Sequence, residues 1–449
     1  MISVAGVRGI VGETLTPPVI SRFSAAFSRE LPPGPVVMGR DARRSGPMVA
    51  DAVAAGVTGA GRDLVDIGLA TTPATQLAVE HLRAAGGIII TASHNPAPWN
   101  ALKFLSSLGE FLGPEAARSV RRRFEADHDL WVGVERLGSV REEPGALDWH
   151  LERVLGLSVL DVPRIRSRAL RVVVDGCASV GGVAVPRLLR ELGATVIELD
   201  CVPNGEFTRE LEPLPEHLGA IGERVRSSGA DFGVAVDPDS DRAAFVDSAG
   251  VPLGEEYTVA LGTRVVLARK RGPVVTNLST SRILDAVCNQ AGVTLHRTPV
   301  GEAHVVARMH EVGAIAGGEG NGGMILPEAH FGRDGLVATA LVAQALAERG
   351  LSLRELAAEL PITSMVKAKL ERGDEPWEQA DERLRRAFPG YQINGDDGLR
   401  FSRDEEWVHV RPSGTEPVVR VIAESPQADR TRQLIETARR AVTAQRAEV

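Results

Sequence analysis

A serine between an apolar strand and a proline, and three aspartates at alternate positions, are the residues of this sequence best suited to chemistry. T-A-S-H-N-P (91–96) follows the run Ile88, Ile89, Ile90. A buried strand therefore delivers Ser93 to a loop at its carboxyl end, where α/β sheets place ligands. A serine hydroxyl there can accept a phosphoryl group and return it; it can also merely cap the following turn. D-P-D-S-D-R (237–242) follows the apolar strand F-G-V-A-V. Asp237, Asp239 and Asp241 repel one another unless a cation neutralises them, and ligation by carboxylate oxygens suits magnesium. A calcium-binding EF-hand loop opens the same way, but it needs glycine at its sixth position and glutamate at its twelfth. Here those positions are Arg242 and Ser248, which leaves a solvated acidic turn as the alternative.

Three further loops are weaker signals taken singly. In R-P-S-G-T-E-P (411–417), Arg411, Ser413, Thr415 and the backbone N–H groups near Gly414 could ring a dianionic phosphate, with Arg420 on the strand beyond. An ordinary hairpin turn would also explain Ser-Gly. In G-G-E-G-N-G-G (317–323), Glu319 and Asn321 offer a carboxylate and an amide, natural partners for sugar hydroxyls. This loop is not a dinucleotide fingerprint, because Met324-Ile325-Leu326 does not continue it as a helix. G-V-R-G-I-V-G (6–12) puts Arg8 in a flexible setting near the N-terminus, and G-R-D-A-R-R-S (39–45) is similar.

Short apolar runs alternating with amphipathic stretches position these loops. Strands are expected at 34–41, 64–68 and 86–90, with a helix over 47–60. The alternation recurs as a strand at 171–176, a helix near 182–192 and a strand at 195–199. It recurs again at 273–278, 281–291 and 293–298, and the pattern restarts after about residues 145, 252 and 362. The tail differs: residues 407–424 look like two strands around a tight loop, followed by a helix of about 20 residues. The expected fold class is α/β. It comprises three similar α/β domains with mixed, largely parallel sheets (1–145, 146–252 and 253–362) and a smaller C-terminal α+β domain (363–449), packed around shared clefts.

Composition narrows the function. The chain has 449 residues, 43% hydrophobic and 24% charged, with a net charge of -8. That is an ordinary globular balance with no basic nucleic-acid footprint. The Arg121–Arg123 cluster reads as a solvated helix face, whereas isolated loop arginines suit small anionic ligands. Cys177, Cys201 and Cys288 are odd in number and lack C-x-x-C spacing, which argues against a disulfide framework or a zinc site. The sequence opens without a charged-then-apolar leader and has no membrane-length apolar run. The expectation is a cytoplasmic protein with no nucleic-acid or membrane partner, as a monomer or homodimer.

Taken together and in this order, the loops resemble those of the α-D-phosphohexomutase family over essentially the whole chain. T-A-S-H-N-P, followed by W-N-A-L-K with Lys103 at the basic position, is similar to that family's phosphoserine loop. D-P-D-S-D-R resembles its metal loop, G-E-G-N-G-G its sugar loop and R-P-S-G-T-E-P its phosphate loop. The resemblance implies four domains around one central cleft, each giving a loop. It implies Ser93 phosphorylated, and magnesium held by Ser93, Asp237, Asp239 and Asp241. Ser93, His94, Lys103 and Arg242 are the implied catalytic residues, with Lys103 the general acid or base for the sugar hydroxyl. Arg8, Gly301, His304, Glu319 and Asn321 would bind the sugar. Arg411, Ser413, Gly414, Thr415 and Arg420 would hold the phosphate that is not reacting. The implied reaction exchanges the 1- and 6-phosphates of a hexose or hexosamine through a hexose 1,6-bisphosphate, which is also the activator.

Two positions depart from the family pattern. Many members read G-E-x-S-G-H in the sugar loop; here Asn321 stands for the serine and Gly323 for the histidine. Some prokaryotic members resemble this variant, including ones assigned to glucosamine phosphate. Ala101 replaces a usual glycine between Asn100 and Lys103. Glucosamine phosphate is the leading expected substrate, with glucose or mannose phosphate as the alternative. An aspartyl-nucleophile phosphatase would need a phosphorylated aspartate, whereas the first loop offers serine. A binding-only descendant would be expected to have lost Ser93 or the aspartates, and all are present.

Overall fold

The computed structural model describes residues 2–3, 6–371, 375–413 and 418–443. Four sheets follow one another along the chain. The first contains β1 (Ile2–Ser3), β2 (Gly6–Ile10), β3 (Val36–Arg40), β4 (Leu64–Leu69), β5 (Gly86–Ile90), β6 (Trp99–Leu105) and β7 (Val140–Glu142), in the order β1-β2-β6-β5-β3-β4-β7. The second contains β8 (Arg171–Asp175), β9 (Thr195–Leu199), β10 (Phe232–Val236) and β11 (Ala243–Asp247), in the order β11-β10-β8-β9. The third contains β12 (Val274–Asn277), β13 (Leu295–Thr298), β14 (Ala316–Glu319), β15 (Gly323–Leu326) and β16 (His330–Arg333), in the order β13-β12-β14-β15-β16. The fourth is wholly antiparallel, with β17 (Ser364–Glu371), β18 (Gln392–Asn394), β19 (Leu399–Arg403), β20 (Glu406–Pro412) and β21 (Val418–Ser425) in the order β17-β21-β20-β19-β18.

One device recurs in the first three sheets. β5 runs parallel to β3, β10 to β8 and β14 to β12. Each then returns through a short loop to an antiparallel neighbour: β6, β11 and β15. The three loops so formed carry Ser93, the aspartates, and the turn between Glu319 and Gly323. Parallel strands covered on both faces need continuous apolar sequence, and Ile88, Ile89, Ile90, Val234 and Val236 are fully buried. The rigid base of the first two loops is therefore written as an apolar run, whereas β14, under the third, reads A-G-G-E.

The second and third sheets share one apolar core, in which Val174, Phe232 and Phe245 join Val274, Met324 and Leu341 in one contiguous cluster. At its centre lies the helix Gly335–Arg349, buried from Gly335 to Ala347 and capped by Asp334, which accepts from the N–H groups of Leu336 and Val337. An α-helix apolar all round belongs inside a protein. The fourth sheet has its own core against the helices Trp377–Ala387 and Ala428–Thr443. Partly buried polar contacts dock it on the third sheet. Ser279 Oγ lies 2.8 Å from His409 Nδ1, Val300 N–H donates to Asp397 at 3.0 Å and Arg282 N–H donates to Glu424 at 3.0 Å. Burial pushes His409 down to about 4, so its ring is neutral at neutral pH. Among the described residues no helix is long and apolar enough to cross a membrane.

Candidate active site

Ser93 lies just beyond β5 with φ +48°, a left-handed conformation costly for a residue with a Cβ. Its surroundings hold it there. Its N–H donates to Thr91 Oγ1 at 2.9 Å, and Thr91 in turn donates to Asp41 at 2.6 Å. Arg43, 1% exposed, clamps the loop. Its guanidinium donates to the carbonyls of Ser93 (2.5 Å), Asn95 (2.6 Å), Pro96 (3.0 Å) and Trp99 (3.0 Å), while its Nε bonds Asp41 at 3.1 Å. The serine hydroxyl is thereby turned toward the second sheet, where Ser93 Oγ donates to Asp237 Oδ2 at 2.8 Å.

The aspartate loop is equally constrained. Ser240, at its middle, also has positive φ (+57°). Ser179 Oγ donates to the Pro238 carbonyl at 2.6 Å and accepts from Ala42 N–H at 3.2 Å, so one hydroxyl ties this loop to the segment that carries Arg43. Asp237, Asp239 and Asp241 are fully buried, with one oxygen from each lying within 4.8 Å of the others. Asp239 Oδ2 accepts from Lys103 Nζ at 2.7 Å and Thr72 Oγ1 at 2.8 Å. Asp241 Oδ2 accepts from Arg333 Nη2 at 2.6 Å, and the Arg242 N–H donates to Asp237 Oδ1 at 3.2 Å. Buried Asp239 Oδ1 and Asp241 Oδ1 have no hydrogen-bond partner among the described residues. Buried carboxylate oxygens in that state fit a cation. Burial, with the charges of Asp239 and Asp241, pushes Asp237 well above the usual carboxylate range. Burial opposes ionisation of Asp239 as well, but Lys103 and Thr72 outweigh it and hold that group low.

His94 is half-buried beside Ser93, its Nδ1 3.5 Å from the serine Oγ. Burial, then the cations Arg242 and Arg8, hold its ring well below the usual histidine range. Arg8 sits within β2, paired across from Ala101, and its Nη1 donates to Asn95 Oδ1 at 2.6 Å. The flexible setting expected for Arg8 is thus a strand, because β6 gives that segment a backbone partner. Buried Arg242 also bonds Glu212 at 3.2 Å.

In the third sheet, Glu319 ends β14 rather than lying free in a loop. Its Oε1 accepts from Asn277 Nδ2 at 2.8 Å and from Gly301 N–H at 3.0 Å, and its Oε2 accepts from Arg333 at 2.9 Å. Gly301 has φ +129° and heads the helix Glu302–Val312, which carries half-buried His304. Asn321 lies on the turn beside Gly322, whose φ is +92° and where a Cβ would come within 2.7 Å of the Ala243 carbonyl. On the fourth sheet, Arg411 and Arg420 face each other across β20 and β21. Arg411 Nη1 lies 3.7 Å from Asp397 Oδ2, and Arg420 is among the cations acting on His94. Ser413 N–H donates to the Val418 carbonyl at 2.8 Å; Gly414 and Thr415 lie outside the described residues. Arg43 and Arg333 were not singled out by sequence reasoning. A buried arginine is recognisable only through partners distant in sequence; the sole hint was the loop 39–45, which looked unremarkable.

Comparison with known proteins agrees over the whole length. Four family descriptions match in order: phosphoglucomutase/phosphomannomutase alpha/beta/alpha domain I over residues 2–130, domain II over 150–250, domain III over 254–363 and the C-terminal domain over 365–441. A probable phosphoglucosamine mutase of Methanopyrus kandleri is 37% identical, covering 96% of this chain and 95% of its own. A phosphoglucomutase/phosphomannomutase of Thermococcus kodakarensis is also 37% identical, covering 96% of each. The crystal structure of a phosphoglucomutase/phosphomannomutase family protein from Burkholderia thailandensis superposes with a TM-score of 0.86 at 27% identity, covering 100% of this chain and 99% of that one. With the four-sheet fold and the converging loops, these likenesses show that the chain belongs to the phosphoglucomutase/phosphomannomutase family of α-D-phosphohexomutases.

Proposed function

We propose that the chain is a cytoplasmic phosphohexomutase that interconverts glucosamine 6-phosphate and glucosamine 1-phosphate through a phosphoserine at Ser93 and a hexosamine bisphosphate. The observation that carries this reading is the 2.8 Å contact of Ser93 Oγ with Asp237 inside a buried cluster of three aspartates. Ser93, Asp237, Asp239 and Asp241 would hold magnesium. A bound cation there supplies charge neutralisation for the transferring phosphoryl oxygens. Lys103, from the neighbouring strand, exchanges the proton of the sugar hydroxyl, and Arg242 and His94 flank the reacting group. Glu319, Asn321, Arg8, Gly301 and His304 orient the sugar. Arg411, Ser413, Gly414, Thr415 and Arg420 clamp the phosphate that is not reacting, so that either phosphate can face Ser93 after the bisphosphate turns round.

The second reading, a phosphoglucomutase/phosphomannomutase acting on glucose or mannose phosphates, is favoured by the Thermococcus relative of equal identity. The two readings are separated by comparing kcat/KM for glucosamine 1-phosphate and glucose 1-phosphate, with magnesium and a trace of hexose bisphosphate. A preference above about tenfold for the amino sugar supports the first reading. Near equality, or a preference for glucose, moves the protein to the second.

A further inference from the structure

The glycine-rich turn ends at Gly323, whose backbone is not left-handed. What requires glycine there is room. A Cβ at Gly323 would lie 2.3 Å from Arg333 Cδ and 2.9 Å from its Cγ. The arginine stands on β16, next to β15, and its stem passes over the glycine. All three of its nitrogens then end on carboxylates: Nη2 on Asp241 at 2.6 Å, Nη1 on Glu319 at 2.9 Å and Nε on Glu302 at 2.8 Å. With its amide turned so that both ends are bonded, Asn321 accepts from the same Nη1 at 3.1 Å and donates to the Glu319 carbonyl at 3.3 Å. One planar guanidinium thereby joins the aspartate loop of the second sheet to both polar residues of the glycine-rich turn. Lysine could not do this, because it presents a single nitrogen in place of a rigid fork.

We propose that Arg333 is a positioning residue that sets Glu319 and Asn321 in register with the aspartate loop, and that position 323 must be glycine because the arginine stem occupies its side-chain volume. The inference rests on the reading of Glu319 and Asn321 as sugar-binding residues. It makes positions 323 and 333 competitors for one space: a side chain at 323 acts on the sugar chiefly by displacing the arginine.

The test is steady-state kinetics of Gly323→Ala, Arg333→Lys and the double variant, with melting curves alongside. Gly323→Ala leaves every charge in place and pushes hardest on the arginine stem, at 2.3 Å and 2.9 Å, with a lesser contact at 3.2 Å to the side-chain amide of Asn321. Each single variant is expected to raise KM for the sugar phosphate by about tenfold or more, with a smaller change in kcat. A merely structural role would lower Tm and the active fraction and leave KM alone. The double variant is expected to be little worse than Arg333→Lys, because the alanine acts mainly through the arginine. A KM within about threefold of the parent in the folded variants, or fully additive effects, would overturn the proposal. If Arg333→Lys does not fold, an unchanged KM in Gly323→Ala overturns it alone. A parent enzyme with no turnover of any sugar phosphate would sink the functional reading instead, which keeps the two failures distinct.

Discussion

Ser93 Oγ and Asp237 Oδ2 lie 2.8 Å apart although 144 positions separate the residues, and each sits on the loop between a parallel strand and its antiparallel return strand. Both loops carry a serine in the left-handed region, Ser93 and Ser240. Conformations of that kind cost on the order of 1–3 kcal/mol and persist only where the surroundings over-determine them. The candidate nucleophile is thus held toward the aspartates by structure outside its own loop.

Arg43 supplies most of that hold, through four carbonyls of the serine loop and the carboxylate of Asp41. Arg43→Lys is expected to lower kcat by about 10²-fold, since lysine cannot reach several carbonyls at once and a small misplacement of the nucleophile is expensive. Stability should also fall, by roughly 3 kcal/mol, because Asp41 is left buried with a poorer partner. Turnover and denaturant melts on the purified variant check both effects.

The three buried aspartates oppose one another's ionisation. Burial and its two neighbours already push Asp237 toward the neutral form. Asp237→Asn supplies a neutral group of the same size, so the metal-free variant is expected to melt at or above the parent's temperature. Added magnesium should no longer raise Tm, and turnover should drop by about 10²-fold or more. Chelation of the parent is expected to abolish turnover. Thermal melts with and without magnesium, beside the activity measurements, test this; a variant that still responds to the metal would argue against Asp237 as a ligand.

A second buried carboxylate gives stability a pH signature. Lys367 lies 2.6 Å from Glu255 and 3.4 Å from Glu256, and one ammonium cannot neutralise both. Burial raises Glu256 from 4.5 to about 8, with Lys367 offsetting only part of the shift. A group raised in this way contributes its stability in full below the ordinary value and loses it as pH rises through about 8. Between those limits the loss is expected to reach roughly 2 kcal/mol or more. Glu256→Gln should flatten the decline in Tm over that window and leave the variant more stable than the parent at the alkaline end. Parallel Tm–pH profiles of parent and variant decide it.

The strands that end in loops were legible because parallel, doubly covered strands must be written as apolar runs, and Ile88–Ile90 and Phe232–Val236 are such runs. Alternate aspartates were legible because their repulsion demands an explanation. Arg43 and Arg333 were not, because an arginine's meaning lies in partners brought in by the fold: the loop some 50 residues downstream for Arg43, and Asp241, 92 positions upstream, for Arg333. The placement of Glu319 at a strand end was hidden by its glycine neighbours, which read as loop. Arg8 misled in the same way, since its strand exists only through pairing with β6.

In the proposed reaction Ser93 carries the phosphoryl group. The most direct test is to incubate the protein with magnesium and hexose 1,6-bisphosphate, then map the phosphate by mass spectrometry and challenge it with hydroxylamine. A single hydroxylamine-stable phosphate on Ser93, absent from a Ser93→Ala variant that also lacks mutase turnover, is the expected result. A labile acyl phosphate on one of the aspartates, or parent-like turnover by Ser93→Ala, would contradict the account.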